Sequence, residues 1–499
     1  MSTSPVLLSF LFFSWAAARR VSVSTSGASS DCTVMPAARP PVALRSFSSP
    51  AVEALILNYT SRLRDPRLAQ LFANTFPNTL DTTVFAHNET DAFVITGDIP
   101  AMWLRDSTNQ VLPYLPLAKG DAALTSLFRG LIARQAACVL LDPYANAFQF
   151  DARAPGAHAA DATTRAAWAG FGPASNTVSA NAMTNDIFER KYEADSLANV
   201  LRLGGAYFAA TGDLAAFTGA HDWAAAAALA VATLDAQRAG TLEEDAAGGP
   251  PYVFQRTTGE PSDTLEHGRG AMALRTGLVK SAFRGSDDAT VLPFSIPENV
   301  FAAAALRLAA APLDALGAAQ TAAAARALAA EIDAAVAAHG TFVHPRTGAR
   351  VYAYEVDGFG NYWFQDDANI PSLLALPVYS DVVARNDTLY TATRDAVLSG
   401  ANPYYFCGAA ACGVGGQHNG APFVWPMALC AQALASDNET EVGQLLQVLV
   451  DSSACTGLIH ESFDSGNFNV YTRPWFAWVN GLFATVVLDV AQRFPSLVF

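Results

Sequence analysis

PENVFAAAALRLAAAPLDALGAAQTAAAARALAAEIDAAVAAHG, residues 297–340, is the stretch on which the fold class turns. Alanine is the strongest helix former because it loses no side-chain entropy, and its small size lets neighbouring helices approach closely. Pro297 suits a first helical turn, where a missing N–H costs nothing. Pro312, inside AAAPLD, is expected to divide the run into two helices, 297–311 and 313–339, and Gly340 closes the second. The same grammar extends in both directions. Ser49-Pro50 is an N-cap and first-turn pair opening SPAVEALILNYTSRL, FERKYEADSL at 188–197 opens a helix running to Phe208, and Asp213 begins an Ala-rich stretch to Arg238. Further helices are read over 381–398, 425–436, 439–450 and 475–487. Strand character is confined to short pieces such as 341–343 and 351–356.

Between the helices lie loops rich in Gly, Pro, Asp and aromatic residues, notably 142–185, 246–296, 354–371 and 402–424. Such alternation, with no clear linker and no short internal repeat, points to one all-α body, a helical toroid whose loops assemble a site at one end. The chain's 499 residues, 51% hydrophobic and 15% charged, fit a large buried core rather than a disordered scaffold. Its 30 basic and 45 acidic residues leave a net charge of −15 with no basic stripe. A phosphate backbone would be repelled, so no nucleic-acid partner is expected. What remains is an enzyme acting on a small neutral or cationic substrate.

The first residues read as a leader. Val6–Ala18 (VLLSFLFFSWAAA) is an apolar run of signal-peptide length, shorter than a bilayer span, with small residues at Ala16–Ala18 for cleavage. No later stretch reads as a membrane span. A secretory-pathway or extracellular location is expected; Arg19, Arg20 and the Arg- and Ser-rich composition of 19–50 keep an organelle-targeting leader as the alternative. The expected division is a leader over 1–18, a flexible Ser/Pro-rich segment over 19–48 and a single catalytic domain over 49–499, with the oligomeric state left open. Four sequons, at Asn58, Asn88, Asn386 and Asn438, are compatible with secretory glycosylation. Of six cysteines, Cys407 and Cys412 are the first candidates for a bridge in an oxidising compartment, and buried thiols are the plain alternative for most of the six. With no CxxC pair, a structural zinc site is not expected.

Chemistry is concentrated in the loops. TGDIPAMWLRDS, 96–107, sets Asp98, Trp103 and Arg105 ahead of a helix that Asp106 or Ser107 can cap. An indole offers an apolar face to a sugar ring, while Arg and Asp supply charge-assisted hydrogen bonds to hydroxyls. In FERKYEADSL, helical spacing puts Glu189 and Glu193 one turn apart, on a solvated face or a functional one, and points Asp195 inward. SAFRGSDDA, 281–289, crowds Asp287 and Asp288 beside Arg284. Crowding pushes one of two carboxyl pKa values up, which yields an acid able to protonate a leaving oxygen; an N-cap or a metal-ligand pair is the plainer reading. Calcium is weighed for Asp357, Asn361, Asp366, Asp367 and Asn369, but their spacing gives no EF-hand loop, and no metal or other cofactor is expected. His418 and Trp425 add an imidazole and an indole, and the segments HESF and TRPWFAW bring Glu461 and Arg473. Glycosidic cleavage needs an acid on the leaving oxygen and a second carboxylate as nucleophile or activator of water, and Glu461 is the natural partner of the 287–288 pair.

The segments TGDIPAMWLRDS, FERKYEADSL, SAFRGSDDA, EVDGFGNYWFQDDANIPSLL, NPYYFCG, WPMAL, HESF and TRPWFAWVNGLF resemble, in order, the motifs of glycoside hydrolase family 125, from about residue 50 to the C terminus. The resemblance implies an (α/α)6 barrel and an exo-acting α-1,6-mannosidase that works without metal and inverts the anomeric centre. It places the general acid in SDD, at Asp287 with Asp288 close behind, and the general base at Glu461. By the same resemblance Asp98, Trp103, Arg105, Asp106, Asp195, Asp366, Asp367, His418, Trp425 and Arg473 line the subsite for a terminal mannose, and the partner is a mannose-containing oligosaccharide or N-glycan. Two positions depart from the pattern: Gly285 replaces a proline before SDD, which is expected to loosen that turn, and Gln417 replaces a proline before the histidine. A mannose-binding protein of this fold without turnover, and a polysaccharide lyase on a similar toroid, are the alternatives. The lyase's anionic substrate would favour a basic cleft, against this composition.

Overall fold

A computed structural model describes residues 32–164, 183–219 and 221–499. The expected leader over 1–18 and part of the 142–185 loop lie outside the described residues.

Among the described residues, capping side chains start seven of the twelve helices of eight residues or more. Ser49, Asp65, Asp121, Asp222, Ser295, Asp387 and Asn438 accept first-turn N–H groups of α1 (Pro50–Thr60), α2 (Pro66–Thr75), α4 (Ala122–Leu141), α6 (Trp223–Ala236), α7 (Ile296–Ala315), α9 (Thr388–Val397) and α11 (Glu439–Ser452) respectively. The others are α3 (Leu104–Val111), α5 (Ala194–Thr211), α8 (Ala319–His339), α10 (Pro426–Leu434) and α12 (Ala477–Arg493). Helices α7, α5, α3, α12 and α10 pack in succession as an inner series, and α8, α6, α4, α2 and α11 pack on it from outside. These five inner and five outer helices form the two-layered, all-α arrangement expected of an (α/α)6 toroid. Alanine makes the contacts close: Ala302, Ala305 and Ala309 of α7 and Ala322, Ala325 and Ala329 of α8 are all buried.

Several helix boundaries differ from the sequence reading. Pro312 does not divide its run: α7 continues to Ala315, and the break falls at Leu316–Ala318, where Gly317 takes φ 77°. In a last turn the proline forfeits one hydrogen bond, which packing of α7 between α5 and α8 outweighs. Asp213 opens only a short 3-10 turn, and α6 begins after Asp222. Asp106 and Ser107 lie inside α3 rather than capping it. The apolar helix α4, uncounted above, is long and apolar enough by composition to cross a membrane, with mean hydropathy 1.3. Here it is a wall of the toroid, its polar groups turned to account: Gln135 donates to Leu104 O, Ser107 and Thr108, and Arg129 and Arg134 pair with Asp213 and Asp91.

Part of the segment expected to be flexible, residues 32–48, is packed onto the domain. Cys32 is bonded to Cys455 across 423 residues, Met35 and Phe47 are buried, and Arg39 bridges Glu53 and Asp81 at 2.6 and 2.7 Å. The second disulfide is Cys407–Cys412, joining two antiparallel strands; Cys138 and Cys430 are buried thiols.

Among the described residues the short strands form seven small antiparallel sheets, more than the sequence suggests. They tie distant loops together. Ala101–Trp103 pairs with Ala147–Gln149, which pairs with Ile187–Glu189, bringing TGDIPAMW beside FERK. Phe423–Val424 pairs with Ser462–Asp464, and that strand with Asn467–Thr472, bringing Trp425, Glu461 and Arg473 to one end.

Candidate active site

These sheets and the 284–288 turn border a small cleft. Eight of the residues expected at the site line it: Trp103, Arg105, Asp106, Asp287, His418, Trp425, Glu461 and Arg473. Asp98 stands at its rim, 40% exposed, with Oδ2 3.5 Å from Arg473 Nε. Asp195, Asp288, Asp366 and Asp367 are not on the lining but one layer behind it. Sequence reading did not single out Ser286, Phe476 and Trp478, which do line it, and it weighed Asn369 only as a metal ligand. All four lie in or beside motifs quoted above, so the signal was their neighbourhood rather than their chemistry.

Of the three carboxylates on the wall, Glu461 and Asp287 are held differently. Glu461 Oε2 accepts from Thr472 Oγ1 at 2.9 Å and Asn419 Nδ2 at 3.5 Å, and Oε1 lies 3.3 Å from Arg473 Nε. Asp287 sits at φ 65°, its side chain 31% exposed, and accepts from Arg105 Nη2 at 2.9 Å. Its neighbour Asp288 faces away from this pair, 2% exposed, with Oδ2 3.5 Å from His418 Nδ1. Burial pushes the Asp288 carboxyl up, but the adjacent His418 outweighs it and holds it at about 2. His418 is pushed up to about 9, burial opposing and Asp288 prevailing. The expected crowding of Asp287 with Asp288 is therefore not what the structure shows. The turn reverses the two side chains, and Asp288 is locked in an ion pair.

Crowding occurs instead around Arg105, only 2% exposed. Its guanidinium lies 2.5 Å from Glu193, 2.9 Å from Asp287, 3.6 Å from Asp106 and 3.7 Å from Asp195. One buried cation cannot neutralise four carboxylates, so protons make up the difference. Burial pushes Asp106 and Asp195 up to about 6 and Glu193 well above its ordinary range, with Arg105 pulling each of them down. Glu189 and Glu193 are thus neither solvated nor on one helix face. Glu189 ends a strand, Glu193 is the N-cap position of α5, and both are buried.

Of the acids behind the wall, Asp366 and Asp367 are satisfied by protein donors. Asp366 accepts the N–H groups of Leu373 and Leu374 and is pushed by burial up to about 8; Asp367 accepts from Ser286 Oγ and Asn369 N. Asp357, also weighed for calcium, accepts from Phe359 N and from Asn361 N and Nδ2. The two departures from the family pattern also have places. Gln417 Oε1 accepts from Arg284 Nη1 at 3.0 Å, and a β-carbon at Gly285 would stand 3.2 Å from Ile370 O and 3.6 Å from Arg105 Cδ. The turn is not loose: Arg284 N donates to Asp288 O and Asp287 N to Arg284 O, each at 2.8 Å.

These ionisations set a pH dependence for stability. Asp106, Asp195 and Asp366 bind protons in the fold at pH values where the unfolded chain, with carboxyls near 4, has lost them. Their contribution is full below about pH 4 and is lost as pH rises through about 6 to 8. Asp288 acts oppositely, its contribution present above about pH 4 and lost as pH falls toward 2. The melting temperature is therefore expected to peak near pH 4 to 5 and to fall by several degrees by pH 8, as calorimetry can check. A Tm that rises steadily to pH 8 would contradict this ionisation scheme.

The chain is similar to known proteins. The family model described as metal-independent α-mannosidase (GH125) matches residues 65–488. The meiotically up-regulated gene 157 protein of Schizosaccharomyces pombe is 42% identical over 472 residues, covering 93% of this chain and 90% of its own length. A solved Streptococcus pneumoniae structure, from a report on metal-independent α-mannosidases and N-linked glycan processing, holds α-1,6-mannobiose in a non-productive complex. It superposes with a TM-score of 0.80 at 36% identity, covering 90% of this chain and 99% of that one. A bacterial glucoamylase bound to acarbose shares the fold alone, at TM-score 0.52 and 10% identity over 88% of this chain and 59% of that one. A helical toroid, paired carboxylates on one cleft and a family match running through every loop that builds it place this chain in glycoside hydrolase family 125, the metal-independent α-mannosidases.

Proposed function

We propose that the protein is an inverting exo-α-mannosidase that removes terminal α-1,6-linked mannose from glycans or mannan. The observation that carries this reading is that Asp287 and Glu461 line one cleft together with Trp103 and Trp425. The indole N–H groups of those two tryptophans, buried, meet no acceptor among the described residues, which leaves two donors for sugar hydroxyls. Asp287 gives its proton to the glycosidic oxygen, and Arg105, 2.9 Å away, stabilises the carboxylate left behind. Glu461 takes a proton from the water that attacks the opposite face of the anomeric carbon, so the product is β-mannose. Asp288 is ill suited to the acid role because His418 holds it ionised. Turnover separates this reading from a protein that only binds mannose.

Hydrolysis of α-1,6-mannobiose by purified protein, followed by NMR, should show β-mannose first; α-mannose first would overturn inversion. Turnover should also be unchanged by EDTA, whereas a complete loss restored by added metal would overturn metal independence. For location we favour the secretory pathway over an organelle, a reading supported by two disulfides and by the exposure of Asn58, Asn88, Asn386 and Asn438. Release of N-glycans by an amidase should then lower the mass of the native protein.

A further inference from the structure

Asp287 is the residue that has to be aimed, and its backbone is in the left-handed region, φ 65°, which a β-carbon disfavours. A second group grips this turn from behind the cleft wall. Lys191 is 3% exposed, and its ammonium donates to the Asp287 carbonyl oxygen at 2.6 Å and to Asp263 Oδ1 at 2.7 Å, with Glu189 at 3.6 Å. Both of these carboxylates are already shared with Arg256, which lies 2.9 Å from Glu189 and 3.1 Å from Asp263. The cage of carboxylates would hold a cation without help from Asp287, so the bond to its carbonyl is directed at the turn itself. The sequence holds the same segment: in FERK, Phe188 and Glu189 end a strand and Lys191 lies just beyond it behind SDD, a contact that the helical reading of that segment hides.

We propose that Lys191 is a positioning residue, holding the Asp287 turn in its left-handed conformation so that the carboxyl points into the cleft. The proposal rests on the reading of Asp287 as the general acid. Without the ammonium the turn relaxes and proton delivery fails, while the seat made by Trp103, Trp425 and Arg473 persists. The loss therefore appears in kcat more than in KM. It also depends on the leaving group, because a sugar alkoxide must be protonated as it departs and a dinitrophenolate need not be.

The test compares Lys191→Met with Asp287→Asn on two substrates, α-1,6-mannobiose and 2,4-dinitrophenyl α-mannoside. In Lys191→Met, kcat on mannobiose should fall on the order of 100-fold and on the dinitrophenyl substrate by less than about 10-fold. If that variant does not fold, Lys191→Gln, too short to reach the carbonyl, reads the same ratio. Equal losses on the two substrates, or no loss on mannobiose, overturn the proposal. The failure of its premise looks different: Asp287→Asn would then itself lose equally on both substrates. A selective loss in Asp287→Asn with an unselective one at Lys191 sinks only the role given to Lys191.

Discussion

Glu461→Gln should lower kcat on α-1,6-mannobiose by about 10²- to 10⁴-fold, the usual scale for a general base. The amide matches the carboxylate in shape and keeps an oxygen for the Thr472 hydroxyl, 2.9 Å away, so the local structure should persist. It cannot take a proton from water, and that is the function being removed. The loss should be the same on mannobiose and on dinitrophenyl α-mannoside, because water must be activated whatever group leaves. This is the opposite of the behaviour expected of Asp287→Asn, and the contrast separates the two carboxylates by role. An added nucleophile that needs no deprotonation, such as azide, should restore turnover and form the β-mannosyl azide. A Glu461→Gln enzyme that kept a tenth of its activity would remove Glu461 from the mechanism.

Why Glu461 and Asp287 were legible in the sequence, and their supports were not, follows from the kind of signal each leaves. Two carboxylates in polar, aromatic loops answer a chemical requirement, and SDD and HESF stand inside long family words. Most of the longer helices, though not α2 or α4, were legible because alanine content, caps and stop residues are local properties. Strands of two or three residues have no period to read, so the sheets that join TGDIPAMW to FERK, and WPMAL to HESF, left no trace. That omission had consequences. Read as helix, FERKYE put Glu189 and Glu193 on a common face; read as a strand followed by a cap, it puts Lys191 behind Asp287 and Glu193 against Arg105. Asp366 and Asp367 misled for another reason. Adjacent acids in an aromatic loop suggest a sugar seat, but these point at backbone N–H groups and a serine, and organise the wall from behind.

Arg105→Met should be among the most destabilising single changes in the protein, about 3 to 5 kcal/mol near pH 8, the scale for removing one partner from a buried ionic cluster. The guanidinium is 2% exposed and faces Glu193, Asp106, Asp195 and Asp287; a thioether fills much of its volume and answers none of their charge. The cost should depend on pH in a definite direction. Arg105 pulls down the pKa values of Asp106 and Asp195, which burial raises to about 6, so removing it raises them further. At pH 8 the variant must either ionise these carboxyls without a partner or bind protons from a dilute supply. At pH 5 they are largely protonated in both proteins, and the difference should shrink to a minor part of its value at pH 8. Denaturant unfolding of wild type and variant at the two pH values measures it. A difference that did not change with pH would mean that these acids stay ionised around Arg105, and the proton-sharing picture would fall. If it shrinks as expected, Arg105 and its buried acids share protons as one cluster, and the proton release proposed for Asp287 would take place beside a cation that the fold already holds there.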